Sequence, residues 1–128
     1  MKAAAVLTLL LVSVAPAFAQ FDAPSVKDSD FVVERFASGI PGPTAIAFVG
    51  DDLLVLQKDD GKVRLIRDGV LQPEPLLDAS VANVAEQGLL GAAVSGQSVY
   101  IYLSESLQDG DSAVGRRVYK YRLDRLGA

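Results

Sequence analysis

The sequence predicts an all-β protein. From Phe31 onward it is a series of short apolar runs rich in β-branched and aromatic residues. Turn signals such as Lys58-Asp59-Asp60-Gly61 and Asp68-Gly69 separate these runs. No window sustains helical periodicity, and residues 79–87 have room for one helical turn at most.

The chain has 128 residues, 50% of them hydrophobic and 22% charged, which is material for one ordinary soluble domain. Residues 1–19 fall outside that domain. Lys2 is followed by an uncharged apolar run and then by Ala17-Phe18-Ala19. This is the pattern of a signal peptide cut before Gln20. The alternative is a membrane anchor, because the uncharged stretch from Ala3 to Phe21 is just long enough to span. Pro16 and the small-x-small site favour cleavage, which predicts a secreted or periplasmic protein with no lasting membrane span.

Residues 20–30 are polar, contain Pro24 and read as a leader. The domain, 31–128, then opens with Phe31-Val32-Val33-Glu34-Arg35-Phe36 as its first apolar run. The runs that follow are 44–49, 53–57 and 62–67. A shift of 46 places Gly42 on Gly88, 47–50 on 93–96, and 53–56 on 99–102. A shift of 55 places 62–67 on 117–122, once an insertion within 104–115 is allowed. A period near 40–50 residues with about four strands per unit is the signature of β-propeller blades. The sequence predicts two four-stranded blades, the second ending near Leu123. Two blades do not close a ring, so the chain reads as the N-terminal portion of a longer propeller. Its open sheet edges are candidates for self-association.

The glycines around the second repeat fit this arrangement. Gly88 and Gly91 open its innermost strand, where small residues let neighbouring backbones approach, and Gly96 serves the next turn.

Composition excludes several kinds of chemistry. The net charge is −4 and no basic patch stands out, which argues against a nucleic-acid partner. Without cysteine there is no disulfide, thiol nucleophile or lipid-modified cysteine. Without histidine the commonest general base and metal ligand is missing. Asp109 and Asp111 invite a calcium-loop reading, but Ala113 stands where a third oxygen ligand is needed, so a solvated turn is expected. Tyr100, Tyr102, Tyr119 and Tyr121 alternate along two strands, and aromatic pairing across the strands explains them more simply than a sugar-stacking platform.

One stretch, Gly39-Ile40-Pro41-Gly42-Pro43-Thr44-Ala45-Ile46-Ala47-Phe48 and the hairpin that follows to Gly69, resembles the opening blade of the soluble quinoprotein glucose dehydrogenase family, the PQQ-dependent glucose/sorbosone dehydrogenases. Pro73 to Asp78, Glu86 to Ala93 and the later Gly115-Arg116-Arg117-Val118-Tyr119-Lys120-Tyr121-Arg122-Leu123 resemble further family segments in order. The likeness covers about Phe31 to Leu123.

The resemblance implies a six-bladed propeller that binds pyrroloquinoline quinone and calcium and oxidises the C1 hydroxyl of aldoses to lactones. It also implies that the catalytic histidine, the cationic residues around the quinone and the calcium ligands come from later blades. No catalytic residue is therefore expected within these 128 residues, and quinone binding by this chain alone is in doubt. One cofactor-facing position is implied here, in the turn before Gly88. Family members carry glutamine there; this sequence has Glu86, with Gln87 one residue later. A carboxylate there repels an anionic quinone unless calcium or arginine intervenes. Glu86 and Gln87 are the candidate cofactor-binding residues, and satisfying the backbone of the turn is the alternative. A non-catalytic extracellular propeller for binding or scaffolding is the alternative function.

Overall fold

The computed structural model describes residues 24–124. The expected signal peptide, 1–19, lies outside the described residues. The chain divides into two compact units, 1–34 and 35–128. In the described part of the first, the Asp28 carboxylate accepts the Asp30 N–H at 3.0 Å and the Asp28 carbonyl accepts the Phe31 N–H at 3.2 Å, closing a turn.

The second unit is all-β, with antiparallel sheets and no helix among the described residues. One sheet holds β1 (Pro43–Val49), β2 (Asp52–Gln57), β3 (Lys62–Arg67), β4 (Val70–Leu71) and β5 (Leu77–Asp78). The other holds β6 (Leu89–Ser95), β7 (Ser98–Glu105) and β8 (Gly115–Arg122). Neither sheet closes on itself. The 31–36 run forms no strand, and 79–87 form no helical turn: an isolated bridge at Val81 to Glu105 and a turn at Ala85–Glu86 stand there instead.

Local chemistry accounts for the turns. Arg67 pairs with Val70 across a two-residue loop, Asp68–Gly69, whose φ angles are 51° and 74°. Positive φ at both central residues matches the right-handed twist of the flanking strands, and Asp-Gly tolerates it. The β1–β2 and β6–β7 hairpins turn on two-residue loops that both open with glycine, Gly50–Asp51 and Gly96–Gln97.

β4 and β5 are two pieces of a fourth strand. Both run antiparallel to β3, one against Ile66–Arg67 and the other against Lys62–Val63. Pro73 and Pro75 lie between them, and proline has no N–H for the ladder. Arg64 Nη2 donates to the carbonyls of Gln72 at 2.8 Å and Pro73 at 3.2 Å, satisfying oxygens that the interruption frees. The second sheet has three strands among the described residues, against the four expected.

The expected internal repeat governs the pairing itself. Every β1–β2 partner pair, moved by 46, gives a β6–β7 pair: Ile46 with Val55 becomes Ala92 with Ile101, and Phe48 with Leu53 becomes Val94 with Val99. The register irregularity after Pro43 recurs after Leu89. With the third strand moved by 55, Leu53 with Ile66 becomes Val99 with Tyr121.

The sheets face each other across one core. Leu54, Leu56, Val63 and Leu65 meet Leu89, Val99, Ile101 and Leu103, with Ala45 and Ala47 opposite Ala92 and Val94. β2 is buried on both faces, because Leu53 and Val55 point the other way and pack with Ile66 under Ala37, Ile40 and Leu71. A strand buried on both faces loses the apolar-polar alternation of a half-buried one, as the Leu-Leu-Val-Leu run does.

Candidate functional site

The turn implied by the resemblance sits where β1 and β6, the first strands of the two repeats, meet. Lys58 N–H donates to the Gly42 carbonyl at 2.9 Å, and 46 residues on Ser104 N–H donates to the Gly88 carbonyl at 2.9 Å. Two bonds tie the repeats together here. Leu89 N–H donates to the Lys58 carbonyl at 2.9 Å, and Thr44 Oγ1 donates to the Leu89 carbonyl at 2.7 Å.

This approach explains Gly88. Its φ is 142°, and a β-carbon on it would lie 2.6 Å from the Lys58 carbonyl oxygen. Gly91 differs: a β-carbon there would meet nothing closer than the Tyr102 β-carbon at 3.8 Å, an ordinary contact. The expected close approach is real at Gly88 and is absent at Gly91 among the described residues.

Glu86 is exposed and Gln87 half-buried in the turn preceding Gly88. The turn is held by its backbone. Gln87 N–H donates to the Val84 carbonyl at 3.1 Å, and Lys58 Nζ donates to the Ala85 carbonyl at 2.8 Å. Lys58 also pairs with Asp59 at 3.3 Å. Ala85 has φ 54°, so a non-glycine residue holds the left-handed conformation at this turn.

A calcium ion takes six to eight oxygens, and no cluster of three or more acidic or other metal-binding side chains is found among the described residues. Lys58 is the cation fixed against this turn, and it is already engaged. Glu86, Gln87 and Lys58 do not by themselves make a set that fits a quinone tricarboxylate with its calcium.

Asp109 has a structural task. Its Oδ1 accepts the Val81 N–H at 3.0 Å, while Gly110 N–H donates to the Val81 carbonyl at 3.0 Å. The tyrosines do not pair with one another across strands. Tyr100 lies opposite Lys120, whose ammonium sits 5.8 Å from the ring centroid, and Tyr102 lies opposite Val118. Tyr119 and Tyr121, two apart on β8, face the core with ring centroids 6.3 Å apart. The two pairs occupy opposite faces of the sheet, because paired residues share a face and neighbours alternate.

A polar cleft lined by residues of both sheets was not anticipated from sequence. It measures about 380 Å3 and is lined by Asp78, Ser80, Glu105, Ser106, Tyr119 and Tyr121 among others. The Tyr119 hydroxyl donates to Glu105 Oε1 at 2.6 Å, and Arg117 pairs with the other carboxylate oxygen. The hydrogen bond from Tyr119, aided by Arg117, holds the Glu105 carboxyl below its usual range against the opposing effect of desolvation. The same bond, with desolvation, raises the Tyr119 phenol. Glu105 and Tyr119 stand four positions apart in the ladder, since Glu105 pairs with Gly115 and Tyr119 with Ile101, so alternation alone gave no sign of the contact.

In comparisons with known proteins, no family model, no curated protein and no solved structure matches the chain.

Proposed function

We propose that the two repeats are neighbouring blades of a β-propeller, and that the chain is the N-terminal portion of an exported PQQ-dependent sugar dehydrogenase. The observation that carries this reading is the transfer of the whole pairing register by 46 and 55 residues, found in the same segments that carry the family-like motifs. A repeated antiparallel unit stacked face to face is what a propeller requires. In such an enzyme the quinone supplies the hydride acceptor, and the proton-abstracting base comes from elsewhere in the polypeptide. The part played by this chain is positional. Gly88 sets the spacing where the two repeats meet, Lys58 fixes the Ala85–Gln87 turn, and Glu86 is presented at its surface.

The exposure of Glu86, beside a Lys58 already engaged by the Ala85 carbonyl and Asp59, favours a second reading: a non-catalytic propeller module. Extending the reading frame past codon 128 separates the two. In the dehydrogenase reading, the extended protein loaded with quinone and calcium reduces a dye at the expense of an aldose, while the 128-residue chain does not. A frame that brings no histidine-bearing third repeat, or an extended protein without turnover, overturns the enzyme reading.

A further inference from the structure

β3 and β8 are equivalent strands of the two repeats, and only β3 has a partner on its outer edge among the described residues. The carbonyls of Gly61, Val63 and Leu65 turn outward, where the N–H groups of Ala79, Leu76 and Gln72 donate to them at 3.2, 2.8 and 2.9 Å. Moved by 55, those three positions are Arg116, Val118 and Lys120. The Leu123 N–H donates to the Gln97 carbonyl at 2.8 Å, so the odd residues of β8 bond to β7. The even residues, Arg116, Val118 and Lys120 among them, therefore point their N–H and C=O groups away from β7.

The side chains beside this edge repeat as well. Leu71, opposite Ile66, packs on the cluster of Leu53, Val55 and Ile66. Moved by 46 and 55, that cluster is Val99, Ile101 and Tyr121. These three line an apolar slot of about 170 Å3, whose other walls include Leu54, Val63 and Leu77. An apolar cavity of roughly 150 Å3 accepts a benzene-sized group, so the slot is matched to one apolar side chain. Further along, Lys62 lies opposite Asp78 with its Nζ 4.0 Å from the carboxylate. Moved by 55, Lys62 is Arg117. Glu105 takes its Nε, but a guanidinium carries five N–H donors and this side chain is 53% exposed, which leaves room for a second carboxylate. The slot and the polar cleft share Leu77 and Tyr121, so the two run on from each other beside β8.

We propose that this groove is a strand-acceptor site, and that its occupant is the stretch of polypeptide following Leu123, added antiparallel to the outer edge of β8. The site selects by pattern: an apolar residue opposite Tyr121 and an acidic residue opposite Arg117. The chain leaves β8 at the apolar end, since Leu123 itself lines the slot. Main-chain bonds hold such a strand and the two side-chain positions choose it. The row of Arg116, Arg117, Lys120 and Arg122 disfavours the rival occupant, β8 of a second copy, because pairing like with like sets cation against cation. In the first repeat Asp78 follows Leu71 by seven residues, and at that spacing the acidic position falls beyond residue 128. The inference rests on the repeat that the proposed function also uses, and not on the quinone. An extended protein without turnover leaves it standing, and an unpaired β8 leaves the turnover test to decide the enzyme reading.

The test is amide hydrogen exchange, residue by residue, on the 128-residue chain and on the polypeptide extended past codon 128. In the shorter chain Arg117, Tyr119 and Tyr121 should be protected, while Arg116 and Val118 exchange faster. In the extended protein Arg116 and Val118 should slow by about tenfold or more, as amides do on gaining a ladder bond. Nuclear Overhauser contacts from an apolar side chain past Leu123 to the Tyr121 ring and the Ile101 methyls give a second reading that needs no variant. Exchange at Arg116 and Val118 that stays fast in the extended protein overturns the proposal. A polar residue opposite Tyr121, or a reading frame that ends at codon 128, does the same. So does slowing of these two amides in the shorter chain as its concentration rises, which would give the edge to a second copy.

Discussion

The carbonyl oxygen of Lys58 stands 2.6 Å from where a β-carbon on Gly88 would lie, and the same oxygen accepts the Leu89 N–H at 2.9 Å. This bond between the repeats thus brings one backbone against the other at a residue without a side chain. Gly88→Ala meets both a φ of 142° and this clash. A loss of about 2–4 kcal/mol is expected. Gly91→Ala should stay within about 0.5 kcal/mol of wild type in folding stability. Urea unfolding of the two variants side by side measures the contrast, and equal losses would show that the approach at Gly88 is relaxed in solution.

The Tyr119–Glu105 pair should make stability fall at both ends of the pH scale. The Glu105 carboxyl is depressed in the folded state, so its contribution is present above its unfolded value and is lost as pH falls through the folded one. The Tyr119 phenol is raised, so its contribution is present below its unfolded value and is lost as pH rises through the folded one. The affected windows lie below about pH 4 and above about pH 10. Tyr119→Phe should shrink both. The alkaline fall will not vanish, because burial also raises Tyr121 and Asp60 raises Lys62. Melting temperature against pH for wild type and variant reads this out, and superimposable profiles would mean that the bond contributes nothing in solution.

Leu56 is wholly buried between the sheets, whereas Leu107 is 79% exposed. Leu56→Ala should cost about 2–5 kcal/mol, through lost transfer energy and the cavity left behind. Leu107→Ala should cost about 0.5 kcal/mol or less. Denaturant midpoints at constant slope decide this, and a mild Leu56 variant would argue that the sheets are not packed through this core.

Asp109 should behave as a structural hydrogen-bond acceptor and not as a calcium ligand. Asp109→Ala removes the acceptor of the Val81 N–H, and Val81 is fully buried. The expected loss is about 1 kcal/mol. Calcium at millimolar concentration, or its removal by a chelator, should leave the wild-type melting temperature unchanged. A rise on adding calcium that Asp109→Ala abolishes would restore the metal reading.

The sequence alone was sufficient for features that depend on near neighbours in the chain. Asp68-Gly69 announced its turn because few residue pairs accept two positive φ angles, and the β-branched runs announced strands because they suit a pleated surface. The shift of 46 was legible because both repeats solve the same local pairing problem with the same residue spacing. The candidate turn at Glu86 and Gln87 was legible only as a position. The Lys58 bond to Ala85 that fixes it comes from 27 residues away. The tyrosines show the same limit. Their alternation was plain, but their partners depend on β7–β8 register, which put Lys120 opposite Tyr100 and left Tyr119 to find Glu105. The 31–36 run carried a strand's composition and pairs with no strand among the described residues; a strand forms only when another backbone satisfies its hydrogen bonds. The tertiary structure alone decided which face of each repeat meets which. Both faces of β2 are apolar, so composition could not orient the stack; in the structure Ala45 and Ala47 share one core with Ala92 and Val94, while Leu53 and Val55 face away from it.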